Sequence, residues 1–79
     1  MDENRKAPRL RVLKAGTIEF NGGAIDCTLR NFSPAGAALE VASPIGIPPD
    51  FILVVPADGS RHRSHVVWRK EKRIGVSFG

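Results

Sequence analysis

The chain has 79 residues, which is room for one domain and a modest core. Its 42% apolar and 25% charged content is that of an ordinary soluble globular domain and excludes a low-complexity chain. The net charge of +4 points towards an anionic partner, although the same surplus also serves solubility.

A single cysteine, Cys27, leaves no internal disulfide and fits a reducing compartment. The opening M-D-E-N-R-K has no apolar stretch of the kind a secretory signal needs. The longest apolar run, F-I-L-V-V-P at 51–56, is too short to span a bilayer. The expectation is a cytoplasmic protein with no membrane insertion.

Residues 1–9 read as a flexible arm. Pro8 pushes Ala7 out of the helical region, so Arg5 and Arg9 do not share a helix face. From Leu10 the pattern alternates, with Val12, Ile18 and Phe20 on one parity and a possible bulge at Ala15-Gly16. Asn21-Gly22 is a strong hairpin signal. The next strand carries Ile25, Cys27 and Leu29 on one face. Asn31–Gly36 is a corner, followed by a third strand with Leu39 and Val41 buried. The stretch 43–50, with three prolines and a glycine, is a loop. F-I-L-V-V is a fourth strand, and Asp58-Gly59 marks a second hairpin. In R-H-R-S-H-V-V-W, Val66 and Trp68 share a parity that also suits the core. A polar break, R-K-E-K, leads to a last strand with Ile74, Val76 and Phe78 on one face. Six short strands without an amphipathic helix predict an all-β fold, a small six-stranded antiparallel barrel over residues 10–79.

Enzyme chemistry finds little support. Ser33 lies in F-S-P rather than a nucleophile elbow, and the bland role for its hydroxyl is to bond its own turn. His62, His65 and Cys27 are the only nitrogen and sulfur metal ligands. The two histidines have opposite parity and read as solvated side chains, so no metal site or cofactor is expected. No Gly-rich phosphate loop is present.

The basic residues fall into two groups, the arm (Arg5, Lys6, Arg9, Arg11) and the last hairpin (Arg61, Arg63, Arg69, Lys70, Lys72, Arg73). A terminal charge run is ordinarily a solvated tail. Arginine, however, offers a planar fork of donors suited to phosphate oxygens and to guanine O6 and N7. Two such forks on an arm suit a guanine nucleotide. In N-F-S-P-A-G, Asn31 and Ser33 share a parity and are short hydrogen-bonding groups. Gly36 either admits a ligand close to the backbone or takes a left-handed conformation in a plain Asx-type turn.

R-K-A-P-R and N-F-S-P-A-G, in that order and separation, resemble the R-x-x-x-R and [DN]-x-S-x-x-G motifs of the PilZ domain, a bacterial receptor module for cyclic di-GMP. The closing V-V-W-R-K-E-K-R-I-G-V-S-F resembles the end of the same family. The resemblance covers nearly the whole chain and implies a six-stranded barrel with a ligand-clamping arm. It implies that Arg5 and Arg9 grip phosphates and guanine edges, that Asn31 and Ser33 bond a guanine, and that Gly36 leaves room for it. Lys6 and Trp68 are further candidates. Asn31 stands where Asp is commoner in the family. Asn4 stands where an extra arginine accompanies a stacked ligand dimer, so one cyclic di-GMP per chain is expected. Many members continue into a helix, and this chain stops at Gly79.

The function implied is that of a non-catalytic cyclic di-GMP receptor whose arm orders on binding and signals to a downstream protein. Two alternatives are a PilZ-like interaction module without nucleotide binding and, less favoured, a small basic barrel that binds nucleic acid non-specifically. The first reading expects no specific nucleic acid partner.

Overall fold

In the computed structural model, residues 10–79 are described, with side chains from Leu13 onward. Six strands form: β1 (Leu10–Phe20), β2 (Gly23–Ser33), β3 (Gly36–Glu40), β4 (Asp50–Val55), β5 (Ser60–Lys70) and β6 (Arg73–Phe78). They close into a barrel in the order β1-β2-β3-β6-β5-β4, every pairing antiparallel. Closure through the β1–β4 pairing at Thr17–Glu19 gives every strand two neighbours and leaves little edge to template aggregation.

The period-2 pattern fills the interior. On β4, Phe51, Leu53 and Val55 are buried in strict alternation. Ile18, Leu29, Leu39, Leu53 and Ile74 are sealed from solvent at its centre. Each such side chain contributes about 1.5–3 kcal/mol of burial. Ile47 is also buried, and it anchors the long 41–49 connection against the core. Arg69 holds that connection from outside, donating to the carbonyls of Pro44 (3.2 Å) and Ile47 (2.9 Å).

The turns follow their residues. Asn21 and Gly22 both have positive φ, 46° and 76°, as a two-residue hairpin turn of mirror type requires. Between β4 and β5, the carboxylate of Asp58 accepts from the Ser60 amide (2.9 Å) and hydroxyl (2.7 Å). These bonds hold its pKa below the ordinary carboxylate value.

Four expectations need correction. The corner narrows to Pro34-Ala35, because Asn31, Phe32 and Ser33 still belong to β2 and Gly36 opens β3. The irregularity in β1 lies between Arg11 and Lys14, not at Ala15-Gly16. Gly16 instead sits in regular register opposite Cys27, where a Cβ would collide with Leu29. The polar break shrinks to Glu71 and Lys72, because Arg69 and Lys70 still belong to β5. His62 is not solvated: its ring stacks on Phe78 at 4.7 Å and meets Phe32 edge-on at 5.5 Å. A hydrogen bond of 3.0 Å joins its Nε2 to Ser60 Oγ. His65 does face solvent, bonded to Asp50 at 2.8 Å.

Candidate functional site

Two β-bulges decide which side chains reach the outer face. On β2, strict alternation would send Asn31 inward with Cys27 and Leu29. The register slips between Leu29 and Asn31, so that Leu29 pairs with Leu39 while Asn31 pairs with Ala38. One extra residue, Arg30, rotates the rest of the strand by one face. Phe32 now points to the core and Asn31 and Ser33 point outward together. On β5 the same device acts between Val66 and Trp68. Val66 packs on the core, whereas Trp68 turns outward and is 45% exposed. The parity that suited Trp68 to the core is therefore overridden.

These side chains meet in one cleft of about 220 Å³ across β2, β3, β6 and β5. Asn31 and Ser33 line one side, Val67 and Trp68 the other, and Gly36, Ala38 and Gly75 lie between. The floor is open because its residues are small. A Cβ on Gly75 would collide with the Trp68 indole. Gly36 has a different reason: its φ is not positive, so it is no left-handed turn glycine, but a Cβ there would strike the Val76 carbonyl of β6.

Ser33 accepts from the Ala35 amide and donates to the Gly36 carbonyl, both at 3.3 Å. The hydroxyl thus bonds its own turn while lining the cleft. Among the described residues no hydrogen bond engages the Asn31 side chain.

An adjoining depression of about 270 Å³ is lined by Leu13, Arg30, Asn31 and Arg73. Arg30 is paired with Glu40 at 3.0 Å, on a partly exposed surface where such a pair contributes at most about 1 kcal/mol. Arg30, Arg73, Ala38 and Gly75 are site-lining residues that sequence reasoning did not pick out. Ala38 and Gly75 look like ordinary strand residues until the two bulges set the faces.

β1 begins at this place. Leu10, the first residue of β1, pairs with Phe32, and Arg11 pairs with Asn31. Arg5, Lys6 and Arg9 lie outside the described residues, immediately before that strand. Small-molecule pockets run to about 300–1,000 Å³. At about 220 Å³ the cleft is smaller than that range.

Among the described residues, no cluster of three or more His, Cys, Asp or Glu is placed to hold a metal, and no helix is long and apolar enough to cross a membrane. A search of curated proteins gives no match. The PilZ domain model matches residues 3–79. The chain belongs to the PilZ domain family.

Proposed function

We propose that the chain is a non-catalytic receptor for cyclic di-GMP. PilZ domains form a family of cyclic di-GMP-binding modules. The observation that carries the reading to this chain is the convergence of Asn31, Ser33, Gly36 and Trp68 on one cleft, at the point where β1 begins. Asn31 offers both donor and acceptor to a guanine edge. The Trp68 indole offers a face on which a base stacks. Arg5 and Arg9 supply forked donors for the phosphates and the second base, with Lys6 as an added charge.

In this reading the arm closes over the ligand and the ordered arm with the barrel forms a new surface for a downstream protein. Ordering the arm costs conformational entropy, which charge-assisted bonds offset. Binding weakens with salt because much of it is phosphate pairing. The free Cys27 thiol and a nucleotide messenger as ligand both suit the cytoplasm of a bacterium.

Calorimetric titration with cyclic di-GMP, beside the Arg9→Ala variant and a GMP control, tests the reading. Saturable binding near one ligand per chain, lost in the variant and absent with GMP, is the expected result. Absence of heat at high micromolar ligand would overturn it in favour of an interaction module without nucleotide.

A further inference from the structure

A second concavity lies beside the cleft, towards the β5–β6 turn. It is a groove of about 800 Å³, and Trp68 lines both it and the cleft. One wall is the start of the 41–49 connection, Ala42 to Pro44. That wall is fixed: Arg69 holds the Pro44 and Ile47 carbonyls, and the Val41 amide donates to the Lys72 carbonyl at 2.8 Å. The opposite wall is the end of the β5–β6 hairpin, with Lys70, Lys72 and Arg73 all exposed.

The charges are unbalanced. Two carboxylates border the groove, Glu40 and Glu71, and Glu40 is already paired with Arg30. Three cations therefore face one unpaired carboxylate among the described residues. The apolar lining, Trp68 with Pro44 and Ala42, lies beside the charged hairpin wall. Apolar contact next to an uncompensated charged side suits a docking protein segment. A nucleic acid strand fits less well, since it would meet two carboxylates and a single stacking ring.

We propose that this groove docks an acidic segment of a partner protein, one that sets an apolar side chain against Trp68 between flanking Asp or Glu residues. Trp68 makes the groove and the cleft share a wall. A base held against one side of the indole fixes its rotamer and so changes the groove on the other. This coupling rests on the cyclic di-GMP reading above; the docking itself does not.

The test uses the full chain and three fluorescein-labelled probes: a short Asp/Glu peptide around one Leu, its Asn/Gln counterpart, and an oligothymidylate of the same charge as the acidic peptide. Anisotropy titration is expected to show salt-sensitive binding of the acidic peptide and none of the neutral one. The Lys70→Glu/Lys72→Glu double variant is expected to lose about tenfold or more in affinity while unfolding like wild type and still binding cyclic di-GMP. Equal peptide binding by wild type and the double variant overturns the docking proposal, as does tighter binding of the oligothymidylate. Repeating the titration with saturating cyclic di-GMP is expected to change the peptide Kd. If calorimetry shows cyclic di-GMP bound and the peptide Kd stays fixed, the coupling through Trp68 fails while docking stands. If cyclic di-GMP does not bind, the reading of the cleft fails and the peptide arms still decide the groove.

Discussion

The indole of Trp68 occupies the space that Gly75 leaves empty: a Cβ on Gly75 would collide with Nε1, Cε2 and Cδ1 of the ring. Trp68 is nearly half exposed and free to swing away from such a collision. Gly75→Ala is therefore expected to cost little stability, on the order of 1 kcal/mol. It should move the only tryptophan in the chain out of the cleft wall, which shows as a shift of the emission maximum. Cyclic di-GMP affinity should fall several-fold or more. Unchanged emission and affinity would mean that the ring does not form the wall.

Gly36 sits in the same cleft but against a different neighbour. The nearest atom to an added Cβ is the carbonyl oxygen of Val76, part of the β3–β6 ladder. Backbone cannot swing aside as the indole can. Gly36→Ala is expected to cost about 1–3 kcal/mol, measured by urea unfolding, because β3 and β6 must separate locally. A neutral effect would show that the two strands can give.

Asn31 and Ser33 separate binding from folding. Ser33 bonds the turn at Ala35 and Gly36, so Ser33→Ala should lower both stability, by about 0.5–1.5 kcal/mol, and affinity. The Asn31 side chain makes no hydrogen bond among the described residues, so Asn31→Ala should leave the melting temperature in place and weaken only ligand binding. A drop in stability without a drop in affinity would move Asn31 from the ligand site to the scaffold.

Much of the barrel was legible from alternation alone. Leu39 and Val41 are buried as expected, and Ile74 and Val76, expected on one face, are both buried. The motif residues Asn31, Ser33 and Gly36 line one cleft. What parity hid were the bulges. Counted from Cys27 and Leu29, Asn31 falls on the inner face, and counted from Val66, so does Trp68. Both point outward because each strand carries one extra residue against its neighbour. A bulge depends on the register of the partner strand, a non-local fact that alternation along one strand does not encode. His62 was misread for a related reason. Its partners Phe32 and Phe78 come from β2 and β6, and only closure of the barrel brings three such rings together.

The β5–β6 turn carries a local conflict. Glu71 has a φ of 53°, a left-handed conformation that costs a residue with a Cβ about 1–2 kcal/mol. Glycine takes it freely but loses more entropy on folding. Glu71→Gly is expected to raise stability by about 0.5–1 kcal/mol, read from the urea midpoint at constant slope. It also removes a carboxylate from the groove wall, so the acidic peptide should bind it more tightly. Destabilisation by the glycine would show that the Glu71 side chain holds the turn.

Cys27 couples folding to alkaline pH. Burial, with the charge of neighbouring Asp26 as a smaller cause, raises its thiol from 9.0 to about 11. The folded state therefore keeps the proton at a pH where the unfolded chain has released it. The resulting stability is fully present below pH 9 and is lost as pH rises from 9 towards 11. At about 1.36 kcal/mol per pKa unit the loss is on the order of 3 kcal/mol. Lysines titrate in the same range, so the comparison is with Cys27→Ala, which keeps them. The variant should start less stable, since a buried group is lost, and then fall less steeply between pH 9 and 11. Parallel alkaline limbs for the two proteins would show that the thiol ionises in the folded barrel as readily as in the unfolded chain. The same proton makes the folded thiol a poor nucleophile, and alkylation by iodoacetamide at pH 8 should proceed only through unfolding.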